Sequence, residues 1–264
     1  MLRGDGSADA AGWATVGADE WASVAAGRDL LFATHGFNVS RAHGAAALDR
    51  LGRTLDLGAA GLFVGLLWPG DAWIPVVDYP FEGGVAIDCG QRLAAFCNAS
   101  CASAQSLAFF SHSLGARVVL EAVARLDRKA RLLCVAAGAV NRDCLWREYW
   151  DASLNASRIT VLASRKDLVL KVAFAVGDPL ADLLHDDHTP FQAALGATGP
   201  APPEPVAFPW QIPDDEDYGH GDYLPPPDDG DQPPPADAQW LRVAGFLGRA
   251  FRGEPQTWPG AAAG

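Results

Sequence analysis

A serine stands between a strand-like and a helix-like stretch in residues 107–126, and few folds accommodate this arrangement. The stretch opens with the apolar run LAFF, typical of a strand buried on both faces, and closes with apolar side chains at helical spacing. Between them lies SHSLG, residues 111–115. A serine at the apex of a sharp strand-to-helix turn needs small residues two positions away on each side. Gly115 is one of these, and Ser111 is a small replacement for the glycine usual at the other. The segment predicts a nucleophile elbow with Ser113 at its apex.

Similar apolar runs recur along the chain and alternate with helical patterns. We predict strands at 29–34, 61–67, 107–110, 131–136 and 158–164, an edge strand at 14–16, a loop at 71–83, and helices at 42–55, 84–102, 116–126 and 237–252, the last with Asp237 as its N-cap. Such alternation implies right-handed crossover connections and a parallel sheet whose strands end at one common edge, where ligands bind. The predicted fold class is therefore α/β, with a mostly parallel central sheet and helices on both faces.

The length of 264 residues fits one domain, so we predict a single domain over residues 1–264. Residues 177–238 differ from the rest because they hold most of the prolines and many of the acids. A long stretch without regular structure inside a domain is usually functional or disordered. We therefore predict a long acidic, proline-rich loop or lid at 177–238.

The net charge and the cysteine content limit the classes of binding partner and the cellular compartment that the chain fits. The net charge of −12 argues against nucleic acid or an anionic membrane, both of which need a basic face. No apolar run has the length of a membrane span, and the first residues lack the features of a signal peptide, so we expect a cytoplasmic protein. The cysteines are odd in number and fit no zinc spacing, which predicts buried free thiols. They are Cys89, Cys97, Cys101, Cys134 and Cys144.

A serine hydroxyl becomes a useful nucleophile only beside a base that a carboxylate orients. In folds with this elbow, the chain order is serine, then an acid after a late strand, then histidine. Asp167 follows the strand at 158–164, although it could also be a helix N-cap. His220 lies between two glycines in the acidic loop, although it could also be a solvated loop histidine. We predict that Ser113, Asp167 and His220 act together.

The charge that develops during attack by serine needs two backbone N–H donors. One is expected from Leu114, directly after the nucleophile, and the other from Phe37, in the loop after the first buried strand.

Trp68 and Tyr79 could line an apolar acyl pocket, with Phe37 and Trp210 as further candidates. Aromatic residues are more common in cores than in pockets, so the alternative is that they are core residues.

The other histidines have simpler interpretations. We expect His112 to point away from the elbow, His35 to shape the turn after its strand, and His43 to lie on a helix surface. His185 and His188, with two aspartates between them, could ligate a metal ion, but a solvated surface is the simpler interpretation. We predict neither a metal nor an organic cofactor.

Several of these segments together form a pattern that resembles the α/β-hydrolase superfamily. They are HGFN at 35–38, WPG at 68–70, Tyr79, SHSLG at 111–115, SRKD at 164–167 and GHG at 219–221. Within the superfamily, the chain looks most like the poorly characterised hydrolases grouped as DUF900, over residues 28–224 and the closing helix. The resemblance implies a Ser113–Asp167–His220 triad and an oxyanion hole formed by Phe37 and Leu114.

The function expected from these features is that of a serine hydrolase, cleaving a small-molecule ester or related acyl compound through an acyl-enzyme. A hydrolase fold retained for binding or scaffolding is the alternative, because fold does not imply function. A metal-assisted hydrolase using residues 185–188 is a third possibility. A nucleophilic aspartate mechanism is disfavoured because the apex residue is serine. The oligomeric state stays open.

Overall fold

The computed structural model describes residues 2–3, 14–69, 79–172, 193–203, 208–226, 235–255 and 258. Its strands, in chain order, are β1 (Leu2–Arg3), β2 (Ala14–Thr15), β3 (Asp29–Thr34), β4 (Gly61–Leu66), β5 (Ser106–His112), β6 (Leu132–Ala136), β7 (Ile159–Ala163) and β8 (Phe208–Gln211). Within these described residues, six strands form one parallel sheet in the order β4-β3-β5-β6-β7-β8. The predicted parallel sheet and its interior strands are confirmed.

Helices surround this sheet, as the alternating pattern predicted. They are α1 (Ala18–Ala25), α2 (Arg41–Thr54), α3 (Tyr79–Ser100), α4 (Gly115–Ala124), α5 (Trp150–Leu154), α6 (described over 168–172), α7 (Leu195–Thr198) and α8 (Gln239–Arg252). Helix α4 packs against α3 and α5, whereas α2 packs against α8. The interior strands β3, β5, β6 and β7 are almost wholly buried, which explains their continuous apolar sequences. The fold is that of an α/β hydrolase.

The register of the strands brings their carboxyl ends to one edge of the sheet. Thr34, the last residue of β3, pairs with Leu66 of β4 and Ser111 of β5. On the far side of β5, His112 pairs with Ala136 of β6. The loops that follow β3, β5 and β6 therefore start side by side, as the parallel direction of these strands requires.

Helix α3 begins at Tyr79, five residues before the predicted start at residue 84. The predicted loop at 71–83 was wrong over residues 79–83, which are helical despite Pro80, whereas residues 71–78 lie outside the described residues. Proline is tolerated in the first turn of a helix, where its missing N–H would have no partner anyway.

The interval 177–238 contains more regular structure than a loop. Its described part includes α7 and β8, and β8 extends the sheet by pairing with β7. The strand is short and contains Pro209, which hides its pattern, but proline is accepted in an edge strand such as this. The absence of a predicted strand here was therefore an error.

Two further boundaries differ from the prediction. Helix α8 begins at Gln239 with Ala238 as its N-cap, so the assignment of the cap to Asp237 was wrong. Strand β2 exists at Ala14–Thr15, but it pairs antiparallel with β1 in a separate ribbon and does not join the edge of the main sheet.

The burial of the cysteines and the hydropathy of the helices can both be compared with the predictions from the sequence. All five cysteines lie within the described residues and none of them forms a disulfide; four are buried and Cys89 is half-buried. Among the residues that the structure describes, no helix combines the length and apolarity needed to cross a bilayer.

Candidate active site

Ser113 occupies the sharp turn between β5 and α4, with a left-handed backbone of φ 55°. Its N–H donates to the carbonyl of Ala136, and its own carbonyl accepts from the N–H of Ala139, each at 3.1 Å. These bonds tie the turn to the end of β6. Gly115 follows at a point of close approach, where an added Cβ would overlap the carbonyl oxygen of His35. The sequence folds into an elbow here because a residue with no side chain stands at this crossing.

The serine, aspartate and histidine predicted to act together are in hydrogen-bond contact. Nε2 of His220 lies 2.8 Å from Oγ of Ser113, and Nδ1 lies 2.7 Å from Oδ2 of Asp167. Because a carboxylate only accepts, Nδ1 of the neutral imidazole carries the hydrogen. Nε2 is then free to accept the hydroxyl hydrogen of Ser113, which is the protonation state that a general base requires.

Asp167 makes both of the contacts that the sequence left as alternatives. Its side chain is fully buried, and one oxygen contacts His220. The other oxygen, Oδ1, accepts from the backbone N–H of Leu170 at 3.0 Å, which is the hydrogen bond of an N-cap at the start of α6. The cap fixes the carboxylate in the orientation in which it meets the imidazole.

The loop that carries His220 is held at several points. Oγ of Ser164 donates to the carbonyl of Tyr218 at 2.8 Å, and the hydroxyl of Tyr218 donates to the carbonyl of Gln239 at 2.7 Å. Asp222 turns its carboxylate to the N–H of Gly219, also at 2.7 Å. Residues 212–226 therefore present His220 from a turn that these hydrogen bonds hold in place.

His112 contacts this loop as well, which contradicts the prediction that its side chain points elsewhere. Its Nε2 donates to the carbonyl oxygen of His220 at 2.7 Å, and the two imidazole rings lie 4.9 Å apart. Burial, with a smaller contribution from His220, lowers the pKa of His112 to about 3. A polar residue at the carboxyl end of a central, almost wholly buried strand was the signal in the sequence for this contact.

The loop after β3 lies directly against the nucleophile. A Cβ built on Gly36 would be 2.8 Å from Cβ and 3.3 Å from Oγ of Ser113. Nδ1 of His35 donates to the carbonyl of Gly36 at 2.8 Å. In a trans peptide the N–H points opposite to the carbonyl, so the N–H of Phe37 is directed away from the His35 ring. Leu114 is the N-cap residue of α4, where backbone N–H groups have no intrahelical partner.

Trp68 lies beside the same loop and is almost fully buried. Its indole N–H donates to the carbonyl of His35 at 3.0 Å, and its ring stacks on the His35 imidazole. Tyr79 is the first residue of α3, and its side chain lies outside what the structure describes. Trp210 packs on Phe246 and Trp258.

The remaining histidines fall in different settings. His43 is in the first turn of α2 and is exposed, as predicted. His185 and His188 lie outside the described residues. Within the described part of the chain, no three His, Cys, Asp or Glu side chains are grouped as metal ligands would be.

Comparison with known proteins places this architecture among hydrolases. A family model described as an alpha/beta hydrolase of unknown function, DUF900, matches residues 20–198. No curated protein matches the sequence.

The chain is also similar, at low sequence identity, to parts of several solved structures. An inhibited esterase B from Lactobacillus rhamnosis is 11% identical with a TM-score of 0.34, covering 57% of this chain and 63% of the esterase. An esterase from Pyrobaculum calidifontis is 13% identical with a TM-score of 0.34, covering 60% and 65% respectively. The chain thus spans less than two thirds of the length of either. The esterase Est2 from Thermogutta terrifontis is 9% identical with a TM-score of 0.43, covering 86% and 81%.

Proposed function

The chain belongs to the DUF900 family of alpha/beta hydrolases of unknown function, and we propose that it is a serine hydrolase that cleaves an ester or related acyl bond. The observation that carries this proposal is the continuous contact from Ser113 through His220 to the buried Asp167. A serine, a base in the correct tautomer and an orienting carboxylate are the minimum that acyl transfer to a hydroxyl requires.

In the first half of the proposed reaction, Oγ of Ser113 attacks the carbonyl carbon of the substrate while its proton passes to Nε2 of His220. The N–H groups of Phe37 and Leu114 receive the negative charge that develops on the carbonyl oxygen. The tetrahedral intermediate then breaks its bond to the leaving alcohol, which takes the proton from His220. Asp167 stabilises the imidazolium throughout and is not itself protonated.

In the second half, water attacks the acyl-enzyme and gives its proton to His220. Collapse of the second intermediate releases the carboxylic acid and returns the proton to Ser113. We propose a small-molecule acyl or ester compound as the substrate, and no step needs a metal ion or an organic cofactor.

A non-catalytic hydrolase fold is the competing function. A binding protein has no need to hold a serine, a histidine and a buried aspartate at hydrogen-bond distance. Two further hydrogen bonds, from the N–H of Leu170 to Asp167 and from the hydroxyl of Ser164 to the carbonyl of Tyr218, stabilise the same geometry. These contacts favour catalysis over scaffolding.

The direct test is labelling of the folded protein with a fluorophosphonate, which reacts with serines activated by a neighbouring base, followed by peptide mass mapping. We expect one adduct on Ser113, none on heat-denatured protein, and none on Ser113→Ala. Ser103→Ala is the matched control, since this serine is exposed and precedes β5, whereas the elbow follows the other end of that strand, and it should label as the wild type does.

Turnover is then measured with p-nitrophenyl esters of increasing acyl length, which also ranks the chain lengths that the site accepts. Absence of a Ser113 adduct in folded wild-type protein would overturn the serine hydrolase proposal. If Ser113 is labelled but no p-nitrophenyl ester of any acyl length is hydrolysed, Ser113 is an activated serine and the proposed ester substrate class is refuted.

A further inference from the structure

We propose that His112 is a positioning residue that holds the loop carrying His220 against both the nucleophile and the Gly36 loop. The inference rests on the proposed function, in which His220 is the base. His112 does not contact the reacting atoms in this role. It acts through the residues around it.

The first contact is with the main chain of the base itself. The hydrogen bond from Nε2 of His112 reaches the carbonyl of His220 at 2.7 Å, whereas the imidazole of His220 is fixed by Ser113 and Asp167. The base is thus held at its backbone by one strand residue and at its ring by two others. Misplacing a reacting group by about 1 Å costs on the order of a hundredfold in rate, so this additional point of attachment matters.

The second contact is with the loop that follows β3. A Cβ on Gly36 would be 3.1 Å from Nδ1 of His112, so the backbone of Gly36 lies next to the other side of the same ring. Because a carbonyl only accepts, Nε2 of His112 carries the hydrogen and Nδ1 faces Gly36 unprotonated. One imidazole therefore lies between the His220 loop and the loop that carries Phe37.

The charge state of His112 suits this position. The ring is 8% exposed, and its low pKa of about 3, caused mainly by burial, keeps it neutral at neutral pH. In the proposed reaction His220 becomes an imidazolium, with the His112 ring 4.9 Å away. A neutral neighbour adds no like charge at the moment when His220 is positive.

His112 is not a second base for the nucleophile. Its Nε2 already donates to a carbonyl, and Ser113 has its hydrogen-bond partner in His220. The strand β5 that carries His112 lies in the middle of the sheet and is buried, which makes it a rigid support for the loop that carries His220.

Substitutions of His112 separate the effect of its hydrogen bond to His220 from the effect of its packing. His112→Phe keeps a planar ring but removes the donor, and His112→Leu serves if the phenylalanine variant does not fold. His112→Gln keeps an N–H at nearly the position of Nε2. The readouts are the rate of fluorophosphonate labelling at Ser113 and hydrogen exchange of the peptide containing 217–223, with the peptide containing 239–252 as the internal control.

We expect His112→Phe to label roughly 10- to 100-fold more slowly, in keeping with a misplaced base. Exchange in 217–223 should rise several-fold without a change in 239–252, and His112→Gln should restore both readouts to near the wild-type values. If His112→Phe is labelled and exchanges as the wild type does, the inference is overturned. It is also overturned if His112→Phe and His112→Gln slow labelling equally with unchanged exchange, because the donor would then not matter. If wild-type Ser113 is not labelled at all, the proposed function falls, while exchange in 217–223 still decides whether His112 holds the loop.

Discussion

Nδ1 of His220 lies 2.7 Å from Oδ2 of Asp167, and the carboxylate that makes this contact is fully buried. The two residues come from different loops of the carboxyl edge, one after β7 and the other after β8. A buried carboxylate is costly unless it is hydrogen-bonded, and Asp167 meets this condition with His220 on one oxygen and Leu170 on the other. The pair therefore joins the two loops and also places the hydrogen of the His220 ring on Nδ1.

Asp167→Asn tests the tautomer. The amide oxygen can still accept from Leu170, so the start of α6 is kept, but the amide N–H₂ facing Nδ1 favours the hydrogen on Nε2. His220 then has no lone pair for the hydroxyl of Ser113. We expect kcat/KM for an ester substrate to fall by roughly 10⁴-fold, with the far-UV circular dichroism spectrum unchanged.

Asp215→Asn is the matched control for this loss of one negative charge, since Asp215 is an exposed acid a few residues before His220. It should keep activity within about twofold, as expected for a screened surface charge. Equal activity of Asp167→Asn and the wild type would refute the role of Asp167.

Gly115→Ala tests the close approach at the elbow. The new Cβ would overlap the carbonyl oxygen of His35 and would lie 2.8 Å from Cγ2 of Thr34. The backbone of His35 and the buried Thr34 of β3 have little room to move away from the new methyl group. We expect the free energy of unfolding in urea to fall by about 1–3 kcal/mol.

Gly84→Ala is the control, because a Cβ on Gly84 meets nothing within 4 Å in helix α3. Alanine is the better helix former, so this variant should be as stable as the wild type or more stable by up to about 1 kcal/mol. A Gly115→Ala protein with wild-type stability would show that the elbow is looser than the geometry indicates.

Much of the fold was predictable because short, continuous segments of the sequence determine it. The interior strands are continuous apolar runs, and the elbow needs particular small residues at fixed offsets. The order of Ser113, Asp167 and His220 along the chain followed from where the loops of a parallel sheet must emerge. The structure brings these three residues into contact, while their roles in a reaction remain proposals.

What could not be predicted depends on partners distant in the chain. Strand β8 is only four residues long and contains Pro209, and its identity as a strand depends on pairing with β7. The direction of the His112 side chain depends on a loop 108 residues away. The start of α3 depends on a first turn that accepts Pro80, which the pattern alone does not reveal.

Trp68→Phe distinguishes a support for the Gly36 loop from a wall of the acyl pocket. The substitution removes the indole N–H that donates to His35 and leaves a buried carbonyl without that donor. We expect kcat to fall by the same factor for short and long acyl esters, with KM nearly unchanged, and stability to fall by about 1–3 kcal/mol. A change in KM that grows with acyl length would instead support the substrate contact predicted from the sequence.

The thiols offer a test of the core that does not involve the active site. Cys89 is half-buried, whereas Cys97, Cys101, Cys134 and Cys144 are buried. Burial also raises the pKa of Cys134 to about 12, and the thiolate is the reactive form. We expect Ellman's reagent at pH 8 to titrate one thiol per native chain promptly and five in guanidinium. Cys89→Ser should abolish the prompt reaction, and prompt modification of several thiols would contradict the packing of α3 and β6.

The buried His112 predicts a specific loss of stability in acid. Its pKa is about 3 in the folded protein, below the ordinary value of 6.5, so between these values the unfolded chain binds a proton that the native state does not. Stability therefore falls as the pH drops below 6.5, by about 1.4 kcal/mol per pH unit from this group.

His112→Gln has no such titration, and the other ionisable groups are common to both proteins. Between pH 6.5 and 5, the wild type should lose roughly 2 kcal/mol more free energy of unfolding than the glutamine variant, as measured by urea denaturation at each pH. The comparison uses the slopes against pH, so a constant difference in stability between the proteins does not affect it. Parallel slopes would mean that His112 gains its proton in the folded protein as easily as in the unfolded chain, and the ring would then not be neutral beside His220 at mildly acidic pH.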